Sequence, residues 1–150
     1  SEQAECLDEM LQLDGKTYTV NCVSVGNPHC VILKEKLSVD EIMQYGPLIE
    51  RHPRFPNRIN VQFARVVSPK LVDILIWERG AGYTLASGSS SSAVAAVMVK
   101  KGLTARKLNV SMPGGQLKLE IAEDWSIRMT GEVRETATGH LSQELLKLLE

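Results

Sequence analysis

Little in this sequence ties it to nucleic acid or to a membrane. Lys and Arg number 17 against 18 Asp and Glu, a net charge of −1, with no basic run and no basic–aromatic interleaving. The electrostatic footprint of a nucleic-acid binder is therefore missing. The longest apolar run, Ala93 to Val99, is seven residues and is closed at once by Lys100-Lys101, far short of the roughly 20 that span a bilayer. No signal peptide is expected at the start. Cysteine is scarce and odd in number: Cys6, Cys22 and Cys30 have no metal-ligand spacing, so no metal is expected and the reading is a reducing cytoplasm. Each also reads as a small buried hydrophobe. There is no internal repeat, no linker and no second domain boundary. What remains is 43% hydrophobic and 23% charged over 150 residues, an ordinary globular domain with enough chain for a core. It opens on Ser1 rather than methionine, and a fragment or processed form is expected.

The pattern along the chain is strand-rich α+β. Thr17 to Val25 alternates polar and apolar residues and predicts a strand, followed by a turn at Gly26-Asn27-Pro28 and a short buried strand at Cys30–Leu33. Ser38 with Glu41 forms a capping box that predicts a helix from Val39. Pro47 is expected to interrupt it, and Pro53 and Pro56 to keep the next stretch irregular. Asn60–Val67 and Val72–Trp77 predict a hairpin about Ser68-Pro69-Lys70. Ser89 to Lys101, rich in Ala and Val and stopped by Gly102, predicts a helix apolar almost all round and hence buried. A second hairpin is expected about Pro113-Gly114-Gly115, a strand over Ser126–Val133, and a short helix with a leucine stripe over Ser142–Glu150.

Chemistry-bearing residues gather in three places. Gly26-Asn27-Pro28-His29 presents an amide and an imidazole from a tight turn; it reads either as a ligand contact with a proton-tuning histidine or as an Asx-turn with a strand-edge histidine. Phe55-Pro56-Asn57-Arg58-Ile59-Asn60 aims Asn60 from a strand start, or is simply a satisfied loop. The third runs from Trp77 to Ser92. There a strand ends in Glu78-Arg79, crosses Gly80-Ala81-Gly82, and enters the apolar helix through Ser87-Gly88-Ser89. The unsatisfied N–H groups and partial positive charge of a helix N-terminus favour an anion, and Gly88 permits close backbone approach. A serine-rich helix cap is the plainer alternative.

The segments Gly26-Asn27-Pro28-His29-Cys30-Val31, Gly46-Pro47-Leu48-Ile49-Glu50, Pro56-Asn57-Arg58-Ile59-Asn60-Val61 and Glu78-Arg79-Gly80-Ala81-Gly82-x-Thr84-x-Ala86 occur in one order, followed by Pro113-Gly114-Gly115 and Met129-Thr130-Gly131. In series they resemble the C-terminal half of diaminopimelate epimerase, from about Tyr18 to Gly131. The resemblance implies an α+β fold in which a curved, mostly antiparallel, barrel-like sheet wraps one central buried helix, residues 1–150 being one domain of two and the N-terminal half absent. It implies interconversion of LL- and meso-diaminopimelate, on the lysine and peptidoglycan precursor route, with no cofactor and no metal. Two cysteines on opposite faces of the substrate move the α-proton, one from each domain. Expected partners are the amino-acid substrate and the N-terminal domain, with a homodimer left open by an exposed inter-domain face.

Carried over residue by residue, the resemblance places the α-carboxylate on the Gly88 and Ser89 N–H groups. It places the distal amino-acid end on Asn27, Asn60 and Arg79, and sets His29 and Glu78 beside the thiols. Arg79 suits a carboxylate through its planar fork. Ser87 stands at the family's cysteine, and Ser92 at a second one often found in this span. A free thiol has a pKa of about 8.5, and a hydroxyl is far less acidic. A helix N-terminus supplies up to about 2 kcal/mol, or about 1.5 pKa units, which does not bring serine into range. The expectation is an isomerase domain inactive in this form. A paralogue for another amino acid and a non-catalytic binding module are the alternatives, and deliberate cysteine removal is a further source of the two serines.

Overall fold

A computed structural model of the protein describes residues 6–13 and 15–148. The chain runs β1 (Cys6–Leu13), β2 (Lys16–Ser24), β3 (Pro28–Leu33), α1 (Val39–Glu50), β4 (Asn60–Ser68), β5 (Leu71–Glu78), β6 (Gly82–Thr84), α2 (Gly88–Lys100), β7 (Lys107–Met112), β8 (Gly115–Ile121), β9 (Ile127–Thr130) and α3 (Gln143–Lys147). One mixed sheet has the order β1-β2-β3-β4-β5-β7-β8-β9, with β6 paired to β5. Its ends, β1 and β9, are not paired with each other among the described residues.

Two parallel pairs organise the sheet. β3 lies parallel to β4 and β5 parallel to β7, while the other pairs are antiparallel. A parallel pair needs a long crossover, and here the two crossovers carry α1 and α2. Side chains alternate across a strand, so the central strands feed two cores. Cys30, Ile32, Val61, Phe63 and Leu75 pack with Ile42 and Ile49 of α1. Val31, Ala64, Ile74 and Ile76 pack with Val94, Val97 and Met98 of α2. Strands buried on both faces lose the polar–apolar alternation of a half-exposed strand, and β4 reads accordingly: Asn60 to Ala64 are all buried.

α2 is buried from Ser90 to Met98 except at Ser92, as its apolar composition predicts. It ends in a Schellman motif: Leu103 N–H reaches Met98 O at 2.9 Å, Gly102 N–H reaches Val99 O at 3.0 Å, and Gly102 has φ +69°. Both expected hairpins form. The last strand is shorter than expected, closing at Thr130. The tail helix leaves Leu145, Leu146 and Leu148 exposed; residues 149–150 of the expected helix lie outside the described residues.

Two expectations need correction, and one strand, β1, was not expected. β1 carries no clear strand pattern in the sequence, because only Leu11 of its residues is fully buried and a bulge with Asp8 at φ +55° breaks the alternation. Pro47 does not interrupt α1, which continues to Glu50. A proline inside a helix costs about 3 kcal/mol, but Ile49 and Glu50 beyond it are buried, and the Arg51 N–H resumes the ladder onto Pro47 O at 3.3 Å. The capping box is half-formed: Ser38 Oγ accepts from Glu41 N–H at 3.2 Å, while the Glu41 carboxylate faces away. Its Oε1 accepts from Lys16 Nζ at 2.5 Å, Tyr18 OH at 2.8 Å and Lys34 Nζ at 2.8 Å. Burial alone raises that carboxyl, but these three donors hold it down at about 2.

The three cysteines, separate in sequence, stand in one row. Cys6 is opposite Cys22 on β1 and β2, and Cys22 is opposite Cys30 on β2 and β3. All three are free thiols, and burial pushes the Cys6 thiol up to about 11. Among the described residues no group of His, Cys, Asp or Glu is placed to hold a metal ion, and no helix is long and apolar enough to cross a membrane.

The seat of α1 on the sheet is checked by substitution. A Cβ on Gly46 would stand 2.7 Å from Trp77 Cγ, closer than packed carbons approach. Gly46→Ala is expected to cost about 1–3 kcal/mol, read as a lower urea midpoint; an unchanged midpoint contradicts this packing.

Candidate functional site

The parallel register of β3 and β4 sets His29 directly beside Asn60, 31 residues apart in the chain. His29 lies inside β3 rather than in the turn before it, and it is 0% exposed. Its Nε2 meets Asn27 Oδ1 at 2.9 Å, and its Nδ1 meets Gln62 Nε2 at 3.0 Å. The same Gln62 nitrogen donates to Ser90 Oγ at 3.0 Å, and Ser90 N–H donates to Ser87 Oγ at 3.4 Å. A continuous polar relay therefore runs Asn27–His29–Gln62–Ser90–Ser87, from the β2–β3 turn to the first turn of α2. Burial and the nearby Arg79 charge push the His29 imidazole down to about 4.

Asn60 is 6% exposed and clips two backbone segments together. Its Nδ2 donates to Pro28 O at 2.9 Å, and its Oδ1 accepts from Arg79 N–H at 2.9 Å. The second Nδ2 hydrogen meets no acceptor among the described residues. Arg79 is exposed and donates from one nitrogen to Asn57 O at 3.0 Å; the other guanidinium nitrogens make no hydrogen bond among the described residues. Glu78 shares the strand parity of Ile74 and Ile76, which pack against α2, and its main chain closes the Gly80-Ala81-Gly82 turn by pairing with Gly82.

Ser87 is the N-cap of α2, in extended conformation with φ −157°. Its own N–H meets Met112 Sδ at 3.4 Å. The next two N–H groups, of Gly88 and Ser89, meet no protein acceptor among the described residues. They are the orphan donors that a helix start offers to an anion. The bareness of Gly88 also has a packing reason, since a Cβ there would stand 2.9 Å from Met129 Sδ. A cleft of about 700 Å³ opens beside this helix end, lined by Ser87, Gly88, Met112, Glu132 and Arg134 among others. Asn27, Asn60 and Arg79 do not line it.

The family model of diaminopimelate epimerase matches residues 21–136. The chain belongs to the diaminopimelate epimerase family. It is 46% identical to diaminopimelate epimerase 2 of a Nostoc species over 147 residues, 98% of this chain and 52% of that protein. It is 41% identical to the diaminopimelate epimerase of Desulfitobacterium hafniense over 136 residues, 91% of this chain and 48% of that protein. The chain thus spans about half the length of the curated relatives it matches. Among solved structures it resembles a hydroxyproline epimerase from Agrobacterium vitis with bound trans-4-hydroxy-L-proline, at TM-score 0.56, 14% identity, and coverage of 77% of this chain and 40% of that one. A phenazine biosynthesis protein of the PhzF family from Bacillus anthracis matches at TM-score 0.54 and 12% identity, covering 75% of this chain and 38% of that one. At such identities the likeness is one of fold.

Within this family frame the fold brings the sequence-nominated residues, Glu78 excepted, into two contiguous groups; the Glu78 side chain makes no hydrogen bond to either among the described residues. Asn27, His29, Asn60 and Arg79 form one hydrogen-bonded cluster, and Ser87, Gly88 and Ser89 form the helix end joined to it through Gln62 and Ser90. Gln62, Ser90 and Glu50 are the residues that sequence reasoning missed. Glu50 is 2% exposed and accepts from Trp77 Nε1 at 2.8 Å and Gly80 N–H at 3.1 Å, fixing the turn after Glu78-Arg79. Burial alone raises its carboxyl, but Trp77, Gly80 and the charges of Arg51 and Arg58 hold it below the usual range. Only its place in the Gly46–Glu50 motif marks Glu50 in the sequence.

The buried imidazole has a consequence for stability. The unfolded chain takes up a proton on this histidine near pH 6.5, and the folded chain near 4. The folded state therefore binds fewer protons in that window, and its stability falls as pH drops from 6.5 toward 4. Relative to His29→Gln, the wild-type urea midpoint is expected to decline across this window; a difference constant with pH contradicts a neutral buried His29.

Proposed function

We propose that this chain is the C-terminal domain, and one wall of the active site, of a cofactor-independent amino-acid epimerase that interconverts LL- and meso-diaminopimelate. The observation that carries the reading is the pair of N–H groups on Gly88 and Ser89 at the start of α2, which have no partner among the described residues. They suit the substrate α-carboxylate, and backbone donors aimed there stabilise the charge that develops when the α-proton leaves. Asn27, Asn60 and Arg79 present further donors for the distal end of the substrate. His29 and Glu78 stand behind them as groups that tune the site. Contacts of α2 with β2, β3, β4, β7, β8 and β9 support a sheet curved around a central helix. The half-length match to the relatives supports an N-terminal half that supplies the opposite wall and its own proton-transfer group.

In this reading Ser87 occupies the position of the family's thiol and leaves the site able to bind but not to epimerise. A thiol at a helix N-terminus is lowered toward neutrality and can serve as acid or base; a serine hydroxyl is not. A second reading is favoured by Ser87 Oγ itself, which accepts from Ser90 N–H as an ordinary helix cap: a binding module that has kept the pocket and given up the chemistry.

The test is exchange of the substrate α-proton in deuterated water, followed by mass spectrometry, on the full-length protein with Ser87 and with Ser87→Cys. The thiol form is expected to exchange about 10²-fold faster or more, the scale of one acid–base group. Equal rates, or full epimerisation by the serine form, overturn the reading of Ser87. Binding of the amino acid by both forms in calorimetry, with α-proton exchange by neither, selects the module.

A further inference from the structure

We infer that Gln62 is a positioning residue that fixes the tautomer of His29 and, through it, which way the Asn27 amide faces the ligand. The inference rests on the proposed reading of the Asn27 wall as a substrate-binding surface, but its first step does not. Gln62 is 0% exposed in the middle of β4 and belongs to the α2-facing side of the sheet. One nitrogen, Nε2, lies 3.0 Å from His29 Nδ1 and 3.0 Å from Ser90 Oγ. An amide nitrogen carries two hydrogens, so both contacts are donations and both hydrogens are used. His29 Nδ1 is then an acceptor and its hydrogen sits on Nε2, 2.9 Å from Asn27 Oδ1. That oxygen accepts, so the Asn27 NH2 is the end left to face outward.

The opposite setting is internally inconsistent unless everything turns together. With Gln62 reversed, Oε1 would face Nδ1 and require a hydrogen there. A neutral ring would then present a bare Nε2 to Asn27 Oδ1, two acceptors in contact, until Asn27 also reversed and offered its oxygen to the ligand. The polarity of Gln62 and that of Asn27 are therefore linked through the ring. The arrangement has a visible cost: Gln62 Oε1 is buried with no hydrogen-bond partner among the described residues. Reversed, the side chain would strand two buried N–H hydrogens in place of one carbonyl oxygen, the larger cost. The nitrogen is the functional end.

The consequence concerns the class of group that Asn27 recognises. With Asn27 offering N–H, Asn60 keeping one Nδ2 hydrogen free and Arg79 its fork, this wall is made of donors. It suits a carboxylate and rejects an ammonium group. Gln62 never touches the ligand; it acts from the far side of His29.

The experiment uses the 150-residue chain labelled with 15N. Long-range 1H–15N correlation at neutral pH distinguishes a protonated Nδ1 from a protonated Nε2. Wild type is expected to show His29 with hydrogen on Nε2 alone. In Gln62→Glu the carboxylate can only accept, so hydrogen is expected on Nδ1; in Gln62→Leu neither nitrogen is selected and a mixture is expected. Hydrogen on Nδ1 in the wild type, or an unchanged tautomer in Gln62→Glu, overturns the inference. The wild-type spectrum decides even where a variant does not fold. Calorimetry with meso-diaminopimelate then reads the second step: Gln62→Glu is expected to bind at least tenfold more weakly than wild type. Equal affinity overturns the link from His29 to Asn27. The expected tautomers with no binding by wild type would leave Gln62 as the setter of His29 and overturn the proposed substrate instead.

Discussion

The structure turns on the anchoring of the first turn of α2 to the parallel pair β3–β4 through buried hydrogen bonds rather than through apolar contact alone. A helix as apolar as α2 has a weak preference for rotation or depth, because hydrophobic burial is not directional. Gln62 to Ser90 supplies direction, and the Schellman turn at Gly102 fixes the other end. Buried polar groups are costly unless paired, so the relay tolerates few arrangements. Among those is the one that leaves Gly88 and Ser89 with their N–H groups free.

Around that anchor the site is built by backbone clips. Asn60 ties Pro28 to Arg79, and Glu50 ties Trp77 to Gly80. These side chains hold the loops that carry the proposed binding groups, so those donors sit on a fixed backbone. Arg79 is exposed while Asn60, which accepts from its N–H, is buried, so a mobile side chain is carried on a fixed backbone.

Much of this was legible in the sequence where the signal was local. The α2 segment announced itself through Ala93–Val99 and Gly102, and both hairpins through their turn residues. Ser38 predicted the start of α1 correctly, although Glu41 turned out to serve Lys16, Tyr18 and Lys34 in place of the cap. Pro47 was misread because its local penalty is outweighed by the burial of Ile49 and Glu50, contacts made with β5. The edge strand β1 was silent because little of it is buried. Gln62 was invisible for a different reason. It is one glutamine in a strand of otherwise ordinary composition, and its meaning comes only from the parallel register that sets His29 beside Asn60. The row of three cysteines is the same lesson, made by register across β1, β2 and β3.

The central claim is that the start of α2 and the Asn27–Asn60–Arg79 wall are two parts of one amino-acid site, even though the cleft beside Ser87 does not reach that wall. A 1H–15N titration of the chain with meso-diaminopimelate tests it most directly. The account predicts that the largest shifts fall on the backbone amides of Gly88 and Ser89 and on the side-chain amides of Asn27 and Asn60, with one common dissociation constant. Shifts at the helix end alone, or at neither place, would contradict it.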